Sequence, residues 1–230
     1  MYVITLTLTV GLLHYGAALD AISAIPSKQD QMNMLNNVKN VFDTIRTTIN
    51  EERSATDAAA ALEIHHTATQ AMNYLVLVKD LTFLKIANLK SENSVCQNNV
   101  KSSVQKVIRE GEELLQICLD EAINNIYNNS QLVATTIGEA MNQGDAFLDA
   151  LNKCSQKPGL QLISCYKKVI ATDVFPLKLI LINALNVHKS SHLEVISVKS
   201  KSNECVDNVL EVQQEKMNKI LDDLSKSCNN

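Results

Sequence analysis

Apolar residues recur at every third or fourth position along most of the 230-residue chain, and this period predicts amphipathic α-helices. The series Leu35, Val38, Phe42, Ile45 and Ile49 is one example. The same period defines six segments, at about 28–50, 54–90, 96–128, 130–151, 160–187 and 206–228. We therefore expect an all-α fold, a helical bundle of about six helices.

Turn-forming residues are scarce, because the chain has only 6 glycines and 3 prolines. Sandwiches, barrels and glycine-rich phosphate loops need many more such residues, which supports the all-α class. Pro158 and Gly159 mark a turn. Pro176 should kink the fifth helix or split it near Thr172. The polar link at 188–202 should then separate the fifth helix from the sixth.

The first residues resemble a signal peptide. A short apolar run, Tyr2–Leu13, is followed by the small residues Gly16, Ala17 and Ala18. About 12 residues are too few to span a bilayer, so we expect residues 1–18 to be a cleaved signal peptide rather than a membrane helix. The alternative is an N-terminal helix or strand that stays in the protein. No later segment is expected to span a membrane, and the product should be secreted and extracellular.

All six cysteines follow residue 95, so the mature sequence divides into a cysteine-free helical region at 19–95 and a disulfide-linked region at 96–230. An even number of cysteines fits an oxidising compartment. In that compartment Asn128, which begins the sequence Asn-Asn-Ser, can accept a glycan. These features predict a disulfide-bonded glycoprotein.

The cysteine spacing favours a particular pairing. Cys96 and Cys118 are 22 residues apart and Cys205 and Cys228 are 23 apart, about 33 Å along a helix, which is too far for a disulfide within either pair. In an up-down four-helix part with these two helices antiparallel, the equal spacings bring the cysteines together as a nested ladder. Its bonds are Cys96–Cys228, Cys118–Cys205 and Cys154–Cys165. The parallel alternative pairs Cys96 with Cys205 and Cys118 with Cys228.

Few residues suggest catalysis or metal binding. His188 and His192 are four apart, as two metal ligands on one helical face would be, and they are the weak metal candidates of this chain. His65 and His66 are adjacent and point in different directions on a helix. The sequence contains no nucleophile elbow, phosphate loop or dinucleotide fingerprint. We expect no enzyme activity and no cofactor.

Charge excludes one class of partner. The chain has 21 basic and 25 acidic residues, a net charge of −4 and no basic block that could neutralise phosphates. We therefore expect no nucleic-acid binding. Apolar surface is what remains, and a cavity would form most easily beside the proline-kinked segment 174–187, where ordinary core packing is the alternative.

Two cysteine-headed helix starts, Ser94-Val-Cys96-Gln-Asn-Asn and Asn203-Glu-Cys205-Val-Asp-Asn, carry a family resemblance. With the signal-like start, residues 96–228 resemble the secreted, cysteine-containing helical proteins of insects that carry a domain of unknown function. The resemblance implies an extracellular location and no particular activity.

Taken with the composition, these observations favour a secreted binding protein that carries small apolar ligands, such as lipids or odorant-like molecules. The first alternative is a secreted protein-interaction or structural component, for example of saliva, venom or reproductive fluid, with a protein partner. The second is a metal-assisted enzyme that uses His188 and His192.

Overall fold

The computed structural model describes residues 28–88 and 94–227, and its regular elements in these ranges are all α-helices. They are α1 (Lys28–Ala87), α2 (Ser94–Ser155) and α3 (Gly159–Ser227). The all-α class predicted from the sequence is therefore confirmed. The predicted signal peptide at 1–18 and Cys228 lie outside the described residues.

The predicted count of about six helices is wrong, and so is the four-helix arrangement of the C-terminal part. Three long helices occur in the described residues, because the first predicted helix continues into the second, the third into the fourth and the fifth into the sixth. The polar residues at 51–54 and 128–130 and the polar link at 188–202 contain no glycine or proline, so nothing in the backbone ends a helix there.

Pro176 lies inside α3, and the helix runs through it without the split that was expected as the alternative to a kink. A proline within a helix removes one backbone hydrogen bond, the one that the carbonyl of Thr172 would accept. Leu177 and Leu181 are each 2% exposed. These two side chains pack into the apolar core, and this packing stabilises the helical segment that follows Pro176.

The chain divides into two compact units, and each takes a segment of all three helices. Among the described residues, unit 1 comprises 28–55 and 130–192, and unit 2 comprises 56–88, 94–129 and 193–227. The unit boundary thus falls within the helices, whereas the cysteine distribution divides the sequence at Cys96.

In unit 1, α2 runs antiparallel to both other helices. A short turn joins α2 to α3, and Gly159 takes a φ of +52° there, a conformation that side chains with a Cβ rarely adopt. Two contacts show that the segments of α1 and α2 are antiparallel. Gly144 lies against Phe42, and the carbonyl of Ser130 accepts a hydrogen bond from Arg53, so the numbering falls along α2 as it rises along α1. One apolar cluster, with members from all three helices, fills the space between them.

Unit 2 repeats this arrangement with its own core. Glu110 pairs with Lys216 while Cys118 is bonded to Cys205, so α2 and α3 run in opposite directions. Two apolar clusters fill this unit, one around Leu115 and one around Ile64. The elongated helices are therefore supported by burial along their length rather than by one central core.

Candidate functional site

Two disulfides of the predicted ladder lie within the described residues. Cys118 is bonded to Cys205 across α2 and α3 of unit 2, with their Cα atoms 5.9 Å apart. Cys154 is bonded to Cys165 across the turn of unit 1, with Cα atoms 5.5 Å apart. The first bond is not the one that the parallel alternative requires, since that arrangement would pair Cys205 with Cys96.

Cys96 is also disulfide-bonded, and its predicted partner Cys228 lies outside the described residues. No free thiol occurs among the cysteines that the structure describes. In the chain-entropy account, the 87-residue separation of Cys118 and Cys205 corresponds to about 4–5 kcal/mol of stabilisation, and the 11-residue separation of Cys154 and Cys165 to about 3 kcal/mol. These cysteines are therefore structural.

His188 faces α1 rather than a second histidine. Its Nε2 atom lies 3.3 Å from Oε2 of Glu52, and its Nδ1 atom is buried without a hydrogen-bond partner in the described chain. His192, four residues further along α3, is exposed. In the ranges that the structure describes, no three His, Cys, Asp or Glu side chains come close enough together to hold a metal ion.

The neighbouring Arg53 makes the second polar contact of this region. Its guanidinium donates to the carbonyl oxygen of Ser130 at 3.4 Å, while its Nε atom is buried and has no partner among the described groups. Glu52 and Arg53 of α1 thus contact α3 and α2 respectively. This is an interhelical polar contact that positions the three segments of unit 1.

A groove in unit 1 lies beside the segment in which the sequence favours a cavity. It has a volume of about 450 Å³ and lies between α2 and α3. Leu179 and Ile180 line it from α3, but α2 contributes polar side chains, namely Thr136, Glu139 and a pair of amides. An apolar ligand would leave these polar groups without water, so this groove suits such a ligand poorly.

A second groove, in unit 2, is the more apolar of the two. It has a volume of about 540 Å³, within the range of small-molecule sites. Its apolar lining consists of Ala61, Leu62, Leu119 and Ile123. Leu62 is 71% exposed, although the neighbouring Ile64 is only 1% exposed. We call this feature the unit 2 groove.

Polar groups in the lining of the unit 2 groove can orient a ligand. His65 of α1 and Asp120 and Asn124 of α2 contribute to its lining. Asp120 accepts a hydrogen bond of 2.8 Å from the side-chain amide of Gln116, one turn earlier on α2. The apolar period of the sequence does not predict this groove, because Leu62 lies off the buried stripe that contains Ile64.

Two further surface features bear on function. Asn128, the predicted glycan acceptor, is exposed on α2.

Within α3, the stretch Gly159–Leu224 contains a window with a mean hydropathy of 1.5, and the helix is long and apolar enough by length and composition to cross a membrane. Only 17% of this window is buried, unlike the core helix of a soluble protein, but a single helix of this kind is weak support for a membrane span.

The helices α2 and α3 carry the relationship to known proteins. A family model described as "Protein of unknown function (DUF725)" matches residues 92–209, slightly more than half of the chain. The chain belongs to this family. No curated protein and no solved structure matches it.

The match to the DUF725 family covers all of α2 and α3 as far as Val209, and so includes five of the six cysteines. It leaves out α1. The disulfide-linked helix pair is therefore the part of this chain that the family describes, whereas the unit 2 groove has one wall from that pair and one from α1.

Proposed function

We propose that this chain is a secreted, non-enzymatic binding protein whose unit 2 groove takes a small apolar ligand. The observation that carries the proposal is the apolar lining of that groove, in which Leu62, Leu119 and Ile123 face a volume large enough for an alkyl chain. The disulfides support secretion, because such bonds persist mainly in oxidising compartments.

Binding would be driven by the removal of apolar surface from water. Leu62 is the most exposed of the lining leucines, so a ligand that covers it removes the most surface. Each buried methylene group contributes about 0.8 kcal/mol. The carboxylate of Asp120 would select against a ligand whose polar end is negatively charged, and the imidazole of His65 could form a hydrogen bond with a neutral alcohol, aldehyde or ester.

Displacement of a fluorescent alkyl probe tests the proposal. The wild type should bind the probe saturably, and long-chain alcohols should displace it. Leu62→Asp should weaken binding at least about tenfold, because it places a charge beside the alkyl chain. Leu132→Asp is the matched control, since Leu132 is 58% exposed on α2 of unit 1 and does not line the groove.

Two results would contradict this proposal. If the wild type binds no alkyl probe, the carrier function is wrong. If Leu62→Asp and Leu132→Asp bind the probe equally well, the unit 2 groove is not the site. Circular dichroism of both variants should be unchanged, because each replaces an exposed side chain.

A second candidate function is a secreted protein-interaction or structural component. The observation that favours it is the exposure of Phe175, Leu179 and Ile182 on α3 of unit 1 at 67, 51 and 39%. Contiguous apolar surface of this kind is typical of interaction sites. Photocrosslinking from position 175 should then capture one defined protein of the extracellular fluid, and Phe175→Glu should prevent binding of that purified protein.

A further inference from the structure

A second apolar face of α1 lies outside the core of unit 2. Tyr74, Leu77, Leu81 and Leu84 are 40, 54, 50 and 61% exposed. Their spacing of three, four and three residues places them on one face of the helix. We call these four side chains the outer stripe.

The core face of the same segment is separate from the outer stripe. Ala71, Leu75 and Ile86 are at most 4% exposed and belong to the apolar cluster of unit 2. The end of α1 is therefore apolar on two faces, only one of which is covered within the described residues. Contiguous exposed apolar surface is typical of interaction sites, so the outer stripe is a candidate surface for a partner.

The spacing of the outer stripe is that of a coiled-coil seam. Tyr74 and Leu81 occupy the first position of successive heptads, and Leu77 and Leu84 occupy the fourth. Asp80 then lies at the position that precedes the seam residue Leu81, and Lys85 at the position that follows Leu84. In two-stranded coiled coils these flanking positions carry the charges that select partner and orientation.

Both flanking charges are accessible to a partner. Asp80 is exposed, and within the described residues it forms an ion pair with the adjacent Lys79, whose Nζ atom lies 3.7 Å from its Oδ1 atom. Exposed pairs of this kind contribute little stability, so Asp80 can exchange that contact for another. Lys85 is exposed and takes part in no ion pair within 4.0 Å in the described parts of the chain.

We propose that the outer stripe is the seam of a homodimer in which α1 of one copy packs parallel and in register against α1 of a second copy. Charge complementarity selects this partner and this direction. In a parallel pair, a charge that precedes the seam faces the charge five residues further along the partner helix. Asp80 of each copy therefore meets Lys85 of the other, which gives two identical ion pairs related by the twofold axis.

The antiparallel arrangement of the same two helices lacks this complementarity. Equivalent flanks then face each other, so that Asp80 lies on the side of the partner's Asp80 and Lys85 on the side of the partner's Lys85. Like charges on facing flanks disfavour pairing. The stripe itself is equally apolar in both directions, so the two flanking charges decide the orientation.

The length of the stripe sets the strength of the dimer. Ten residue steps from Tyr74 to Leu84 rise about 15 Å, or three turns. Such a seam lies at the small end of specific interfaces. We therefore expect a reversible dimer with a dissociation constant in the micromolar range, about 1–100 μM, rather than an obligate one.

Sedimentation equilibrium of the full, disulfide-intact chain over a concentration series tests the proposal. The wild type should fit a monomer–dimer equilibrium. Asp80→Lys alone and Lys85→Asp alone should each raise the dissociation constant at least about tenfold, because both ion pairs become like-charge contacts. The double variant, Asp80→Lys with Lys85→Asp, should restore the wild-type value within about threefold, since it exchanges the two charges.

Leu81→Asp tests the seam itself, and Leu193→Asp is its control. Leu193 is 61% exposed in unit 2 but lies on α3, outside the outer stripe. The first variant should be monomeric and the second should dimerise as the wild type does, with unchanged circular dichroism for both. The proposal is wrong if the wild type stays monomeric up to about 1 mM. It is also wrong if Leu81→Asp still dimerises, or if the charge exchange fails to restore association. None of these results depends on whether the unit 2 groove binds a ligand.

Discussion

Gln213 offers the most direct test of the core packing in unit 2. This residue is 0% exposed, and neither its side-chain nitrogen nor its side-chain oxygen has a hydrogen-bond partner in the described parts of the chain. It lies against Gly111, whose lack of a side chain leaves room for the amide. A buried polar group without a partner destabilises the folded state by about 1–3 kcal/mol.

Replacement of Gln213 by Met removes both polar groups and retains nearly the same length and shape. Methionine and glutamine have similar helix propensities, and the flexible thioether adapts to an existing space. The free energy of unfolding should therefore rise by about 1–3 kcal/mol. In a chain of this size, each 1 kcal/mol raises the melting temperature by about 2–4 °C.

Urea denaturation followed by circular dichroism measures the effect, with Gln214→Met as the matched control. Gln214 is the next residue of α3 and is exposed, so its replacement should change stability by no more than about 0.5 kcal/mol. If Gln213→Met is no more stable than Gln214→Met, the reasoning is refuted, because the amide of Gln213 must then be satisfied in solution.

Three other predictions concern single contacts. Gly111→Ala should lower the free energy of unfolding by about 1–3 kcal/mol, because its Cβ would lie 2.7 Å from a side-chain atom of Leu75. A Cβ at Gly138 would have no atom within 4 Å, so Gly138→Ala should raise the free energy of unfolding by about 1 kcal/mol. Urea denaturation measures both changes. The hydrogen bond and charge of Lys216 lower the pKa of Glu110. This contact therefore stabilises the fold above the ordinary carboxyl pKa, and the stabilisation is lost as the pH falls through the lowered pKa. Glu110→Gln should have a lower melting temperature than the wild type at pH ~7, and this difference should be smaller at pH ~3. Burial raises the pKa of Tyr166. The neutral form of this side chain therefore stabilises the fold below pH ~10, and the contribution is lost as the pH rises through the raised pKa. Tyr166→Phe should lose less stability in alkali than the wild type does, and an absorbance titration of this variant should lack the tyrosine that ionises last.

The helical class was predictable from the sequence because it follows from a local period. Apolar residues such as Val38, Phe42 and Ile45 are spaced for one helical face, and the structure buries all three. The turn at Pro158 was predictable for a similar reason, since proline and glycine restrict or free the backbone wherever they occur. The pairing of Cys118 with Cys205 was one of two that the equal spacings allowed, because spacing alone does not fix whether the two helices run antiparallel or parallel.

The number of helices was not predictable by the same reasoning. Polar stretches such as 51–54 and 188–202 interrupt the apolar period, and an interrupted period resembles a link. The backbone responds instead to glycine, proline and capping, and these segments contain no breaker. Ser191 and Val195 within the second stretch are buried, so tertiary packing supports helix where the local pattern does not favour it.

The candidate sites depend on rotational register, which composition does not contain. Leu62 and Ile64 are both aliphatic and only two residues apart, but one lines a groove at 71% exposure and the other is buried at 1%. The difference arises because Ala60, Ile64 and Ala68 form the stripe that faces the other helices, and Leu62 lies off that stripe. An apolar residue off the core stripe is thus a signal that sequence analysis can use once the stripe has been fixed. Leu77 and Leu81 also lie off the core stripe and are exposed, and they belong to the outer stripe, the surface at which we propose that α1 pairs with a second copy.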